Sequence, residues 1–329
     1  MNILHQEPRI VVIGGGTGLA VLLKGLKKYT SHLTAVVTVT DDGGSSGRLR
    51  AELGVLPPGD IRNCLVALAE TETLMDKVFQ HRFMQGSGLE GHNLGNLLLV
   101  ALTEITGDFV SAIKEVSRVL AVRGKVIPAT LEQVSLAAIM KDGTTISGET
   151  SIRNYSAAIR QLFLNPRDCM PVPATLDAIM EADAIVIGPG SLYTSLIPNL
   201  LVTGVAEAIL KSPATTFYVS NIMTELGETD DFSAADHLRV IMEHVGCQLF
   251  DYAIVNTGVV DDERLLRYRE EQAIPVNEAT DEIARMGVRL LCHDLVSDTD
   301  VAWHDSGKLA RVILDTLAAD ENKAQGLGG

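Results

Sequence analysis

Two spacings of hydrophobic positions alternate along this chain. Short unbroken apolar runs recur at residues 10–13, 35–39, 184–187, 216–219, 252–255 and 288–292. Runs this short, without polar alternation, predict strands buried on both faces, as in a parallel sheet. Apolar positions at helical spacing fill residues 19–29, 60–70, 93–103, 108–120, 196–211 and 234–245. Strand–helix alternation of this kind predicts an α/β fold, a doubly wound, mostly parallel Rossmann-like sheet. One region breaks the rhythm. Residues 134–140 and 144–147 flank Lys141-Asp142-Gly143, and Asp-Gly is a hairpin signal, so residues 125–152 are expected to form a short antiparallel excursion. Pro166, Pro171 and Pro173 mark a loop before the second half. With no internal repeat or low-complexity linker, residues 1–317 read as a single domain. The polar, glycine-ended stretch 318–329 reads as a flexible C-terminal tail.

Composition narrows the functional classes. A chain of 329 residues with 46% hydrophobic residues can bury a large core. A net charge of -15 argues against non-specific nucleic-acid binding and adhesion to anionic lipid, but leaves a phosphorylated ligand open. Cys64, Cys169, Cys247 and Cys292 are scattered without a CxxC pair, so they read as reduced thiols of a cytoplasmic protein. Residues 1–9 are short and polar, unlike a signal peptide. No apolar run reaches the ~18–20 residues a membrane helix needs.

The polar chemistry collects where strands end. The first run breaks into Gly14-Gly15-Gly16-Thr17-Gly18, a turn whose backbone N–H groups suit a phosphate. It departs from GxGxxG, because Leu19 stands in the third glycine's place, and it lacks a Walker lysine. The second run leads to Asp41-Asp42-Gly43-Gly44-Ser45-Ser46-Gly47, with Arg48 and Arg50 behind it. Carboxylates there can accept from ribose hydroxyls, and the following residues read as a loop of free N–H groups and hydroxyls. Asp60, after Pro57-Pro58-Gly59, reads as a helix N-cap, with Arg62 and Asn63 in the first turn as anion contacts. Asn93 reads as the cap of the next helix and Asn96 as a buried hydrogen-bonding residue. His92 could act as an acid or base, but a lone histidine is usually only a hydrogen-bonding residue. Gly188, Gly190 and Ser191 form a second glycine turn, and Asn221 and Asn256 stand at further strand ends. Asp42 and Asp60 are weak candidates for a divalent cation, since two acids alone make no metal site. No nucleophile elbow, zinc pattern or catalytic pair stands out, so the catalytic residues remain unassigned.

VVIGGGTGL, TVTDDGGSSGRLR, PPGDIRN, GHNLGNL and IGPGSLYTSLIPNLL, in this order, resemble the bacterial YvcK family of gluconeogenesis factors. That family is related to CofD, the 2-phospho-L-lactate transferase of deazaflavin cofactor synthesis. The resemblance spans nearly the whole chain and implies a CofD-like fold. It implies a nucleotide ligand such as a UDP-sugar, and a role in cell shape and cell-wall synthesis during growth on gluconeogenic carbon sources. By the same resemblance, Gly14 to Gly18 match the nucleotide turn, and Asp42 matches the acid near acceptor and divalent metal in CofD-like proteins. Asn96 and Gly188 to Ser191 match the rest of the crevice. Where the family often carries an arginine before the C-terminal His-Asp, this chain has Trp303.

Three functions are therefore in play. The first is a cytoplasmic nucleotide-binding regulatory protein that signals to a protein partner in cell-wall synthesis. The second is a CofD-like transferase moving a phosphoryl-linked group in a metal-dependent reaction. The third and weakest is an NAD(P)-dependent oxidoreductase, with NAD as the nucleotide. Neither nucleic acid nor membrane insertion is expected. The apolar helix at residues 94–101 leaves a homo-oligomer open.

Overall fold

The computed structural model describes residues 7–70, 74–324 and 326, so the expectations for residues 1–6, 325 and 327–329 lie outside the described residues. The first part of the chain runs β1 (Ile10–Gly14), α1 (Gly16–Leu26), β2 (Leu33–Val37), α2 (Gly44–Leu53), α3 (Gly59–Leu68), α4 (Leu74–Gln80), α5 (Leu94–Thr106) and α6 (Phe109–Val119). The middle holds β3 (Lys125–Pro128), β4 (Ser135–Met140), β5 (Thr145–Ser147), α7 (Glu149–Arg153) and β6 (Ile159–Asn165). There follow α8 (Pro173–Glu181), β7 (Ala184–Ile187), a π-helical turn (Leu192–Leu196), α9 (Ile197–Leu200), α10 (Val205–Lys211) and β8 (Thr215–Val219). The last part is α11 (Ala234–Val245), β9 (Tyr252–Asn256), α12 (Asp262–Glu270), α13 (Thr280–Arg285), β10 (Arg289–His293) and α14 (Ser306–Ala324).

Seven strands form one sheet in the order β10-β9-β8-β7-β1-β2-β3, with every neighbouring pair parallel. From β1 the chain winds outward to β2 and β3, then returns to pair β7 with β1 and winds the other way. The switch between the two directions lies between β1 and β7, where an open α/β sheet parts into a crevice beyond its carboxyl ends. Both central strands are buried throughout, which explains their unbroken apolar runs. Helix α1 packs against α3 and α14. At Gly25 the backbone of Ser306 leaves no room for a Cβ.

The expected antiparallel excursion is present, with shifted bounds. Residues 125–128 belong to the main sheet as its parallel edge strand, and the excursion is the three-stranded sheet β5-β4-β6. The half-exposed alternation of β6 hid it from a search for fully apolar runs. The helix expected over residues 196–211 is broken between α9 and α10, where Gly204 takes φ +80°. The loop expected after Asp42 is the first turn of α2, so intrahelical bonds consume the N–H groups from Gly47 onward. Helix α14 continues through the first part of the stretch read as a tail, to Ala324. Among the described residues, no single helix is long and apolar enough to cross a membrane.

Candidate functional site

The two glycine turns at the switch point touch. A Cβ at Gly18 would sit 2.7 Å from Pro189 O, and one at Gly190 would sit 3.2 Å from Gly15 O. At Gly18 only glycine allows this approach and at Gly190 a Cβ would be tight, so the turn after β1 and the turn after β7 form one continuous backbone wall. Asn199 reinforces it from below, its Nδ2 donating to Gly14 O (3.0 Å) and Ser195 O (2.7 Å). The wall faces a cleft of about 820 Å3, a size suited to a nucleotide-like ligand. Gly15, Gly16, Thr17, Gly18, Asp41, Gly190, Ser191 and Asn221 line it, eight of the sixteen residues singled out in the sequence for nucleotide binding.

Asp60 does something other than cap its helix. The N-cap of α3 is Pro58, with no side-chain cap. The Asp60 carboxyl instead lies against the turn after β1, where a Cβ at Gly15 would sit 2.5 Å from its Oδ2. Gly16 takes φ +67°, a conformation glycine adopts without strain. Burial and the neighbouring Asp41 push the Asp60 carboxyl up to about 6, against the pull of the Gly16 N–H and Arg62.

The second turn is held by side chains. Gly190 N donates to Asn221 Oδ1 (3.1 Å), Asn221 Nδ2 to Glu225 Oε1 (2.8 Å) and Ser191 Oγ to Glu225 Oε2 (2.5 Å). Glu225 lies four residues beyond Asn221 in the loop after β8, a spacing that could have marked it in the sequence.

Other residues expected in the site hold the scaffold. Gly14 ends β1 and Gly188 begins the second turn at φ +90°. Asp42 Oδ1 accepts Thr150 N (2.9 Å) and Thr150 Oγ1 (2.7 Å), tying β2 to α7. Ser45 Oγ bonds His92 Nδ1 (3.1 Å) and accepts Asn93 N (3.2 Å), while Ser46 Oγ accepts Gly59 N (3.1 Å). Arg62 is buried, donating to Asn96 Oδ1 (3.1 Å) and Asn63 Oδ1 (2.6 Å), and burial lowers its pKa to about 10. It supports α3 and α5 instead of reaching the cleft. Asn93 caps α5 as expected, accepting Asn96 N. Arg48 donates to Glu90 O (2.7 Å), and Asn256 Oδ1 accepts Gly258 N (3.0 Å) and Leu295 N (2.9 Å).

The structure adds residues that no local pattern marked. Glu149, Thr150, Arg153 and Asn154 bring the three-stranded excursion over the cleft as its far wall. Tyr268 closes another side, together with Trp303 and His304, from the C-terminal stretch that the sequence did single out. His304 is buried with Nε2 unpartnered, and burial lowers its pKa to about 4. Burial and the charges of Asp41 and Asp60 raise Glu149 to about 9, so its carboxyl is protonated at neutral pH. As a neutral acid it can donate a hydrogen bond into the cleft.

The metal expectation does not fit these residues. Asp42 is turned to Thr150 and Asp60 to the turn after β1. Among the described residues no three His, Cys, Asp or Glu side chains converge to hold a metal ion.

Residues 10–296 match the family described as 2-phospho-L-lactate transferase CofD. The chain is 50% identical to a Bacillus subtilis protein named gluconeogenesis factor, over 95% of this chain and 99% of that one. It is likewise 50% identical to a Nostoc protein named as a gluconeogenesis factor, over 94% of this chain and 69% of the relative. A crystal structure of a UPF0052 family member from Bacillus halodurans superposes with a TM-score of 0.90 at 50% identity, covering 93% of this chain and 99% of that one. Fold, motif order and sequence thus agree, and the chain belongs to the gluconeogenesis factors of the CofD-like family.

Proposed function

We propose that this gluconeogenesis factor is a cytoplasmic nucleotide-binding regulatory protein whose ligand is a UDP-sugar or a related nucleotide. The observation that carries this reading is the abutting pair of glycine turns at the switch point, beside Asp41 at the end of β2. Free N–H groups at the start of α1 bind the pyrophosphate, and the macrodipole of α1 favours its charge. Asp41 and the protonated Glu149 hydrogen-bond ribose or sugar hydroxyls. Binding closes the excursion onto the main sheet, and this population shift presents a surface to a protein partner in cell-wall synthesis. The regulatory reading is preferred to a metal-dependent transferase because Asp42 and Asp60 point to separate partners. NAD remains a ligand to test, without hydride chemistry.

Titration calorimetry with UDP-sugars, GDP and NAD, with and without Mg²⁺, tests this reading. The expected result is binding of a UDP-sugar at about 1:1, indifferent to EDTA, with the ligand recovered intact. Turnover of the bound nucleotide, or binding that requires the metal, overturns it in favour of the transferase. In a bacterial host, loss of the protein is expected to distort cell shape on gluconeogenic but not glycolytic carbon sources.

A further inference from the structure

Four acids line the cleft wall, Asp41, Glu149, Glu225 and Glu271, whereas Arg153 is the one lysine or arginine side chain among the described lining residues. Its backbone is fixed. Arg153 closes the short helix α7, which Asp42 anchors through Thr150. Its carbonyl packs so tightly on Gly227 that a Cβ there would sit 2.8 Å away. Its side chain is free to act. The side chain is 52% exposed, and its one ion pair among the described residues is Nε to Glu228 Oε1 at 3.5 Å. No hydrogen bond within the described residues engages its two terminal nitrogens, the planar pair best suited to a bidentate oxyanion.

Glu228 is the opposite case. Its side chain has no solvent exposure, yet Oε2 has no partner. Oε1 accepts Thr194 Oγ1 at 3.4 Å, a long bond. Burial and Glu225 push this carboxyl toward its protonated form, and Arg153 holds it back. A buried carboxylate with one weak cationic neighbour is a poor competitor for that cation against a solvated phosphate.

We infer that Arg153 is the cationic contact for a phosphate or pyrophosphate group in this cleft, and that Glu228 competes with that anion for it. The inference rests on the nucleotide reading and adds to it the residue that supplies positive charge. It also gives the excursion a chemical task. The far wall carries the cation that the glycine turns lack, so a phosphate bridges the two walls.

The test is calorimetry on the full chain with UDP-glucose and inorganic pyrophosphate, using uridine as the phosphate-free control. Arg153→Gln is expected to weaken both phosphorylated probes about tenfold, and Arg153→Lys to fall between it and the wild type. Glu228→Gln removes the competitor and is expected to tighten both probes several-fold. Opposite signs at the two positions separate ligand contact from mere structural support, which would weaken binding in both variants. If Arg153→Gln leaves the affinities unchanged, or Glu228→Gln weakens them, the inference is overturned while the nucleotide reading stands. If the wild-type chain binds neither these probes nor GDP and NAD, the nucleotide reading falls and takes the inference with it.

Discussion

The two glycine turns at the switch point look alike in sequence and are held in different ways. The turn after β1 is clamped from inside. Its Gly15 packs against Asp60, an acid whose charged form is disfavoured. The turn after β7 is held from the side by Asn221, which accepts the Gly190 N–H, and by Glu225, which accepts from Asn221 Nδ2 and Ser191 Oγ at the cleft. An acid packed against the turn's backbone fixes geometry, whereas hydrogen bonds among the side chains of the cleft wall can be exchanged for ligand bonds at small cost. The first turn is therefore the rigid reference and the second the adjustable partner.

The largest effect that could break this comparison is at Asp60. Its pKa in the folded chain, about 6, lies above the ordinary 3.8, so the folded state holds its proton more tightly than the unfolded state does. The stability it contributes is complete below pH 4 and is lost as pH rises through 6, by about 3 kcal/mol in all. Asp60→Asn keeps the size and shape of the side chain and removes the charge. Relative to wild type, the variant should therefore gain about 3 kcal/mol between pH 4 and pH 7 in urea unfolding. Parallel stability curves for the two proteins would show that Asp60 is not a strained clamp.

Gly18→Ala strikes the contact between the turns. Gly18 lies inside α1, where alanine is the better helix former by about 1 kcal/mol, so local propensity favours the change. The new Cβ would sit 2.7 Å from Pro189 O and 3.0 Å from Pro189 C, and backbone cannot swing aside as a side chain can. A net loss of about 2 kcal/mol is expected. A neutral or stabilising result would mean that the turns can part without cost.

The legibility of the molecule follows the same division. Strands β1, β7, β8 and β9 were readable because burial on both faces leaves one solution, an unbroken apolar run. Both glycine turns were readable because close backbone approach excludes other residues. Arg153, Glu149 and Glu225 were not, because their place in the cleft comes from how the excursion and the loop after β8 fold back over the sheet. Asp60 and Arg62 were noticed for sound local reasons, a helix start and a cation in its first turn. Tertiary structure gave them other neighbours, the turn after β1 for the one and Asn63 and Asn96 for the other. Local patterns located the crevice but could not say which of its polar residues face inward.

The smallest predicted effect sharpens the contrast from the adjustable side. Ser191→Ala removes the Oγ donor to Glu225 Oε2 and leaves Asn221 Nδ2 on Oε1. Glu225 is part of the cleft wall, so water can take the vacated oxygen and the stability cost should stay near 1 kcal/mol. The turn itself keeps its backbone bond, Gly190 N to Asn221 Oδ1. The effect on binding is expected to be larger than the effect on folding, because the freed Glu225 carboxylate then faces an incoming phosphate with one fewer neutralising donor. Urea unfolding alongside pyrophosphate calorimetry on one preparation measures both. A stability loss larger than that of Gly18→Ala would reverse the assignment, making the second turn the rigid one and leaving the first to adjust.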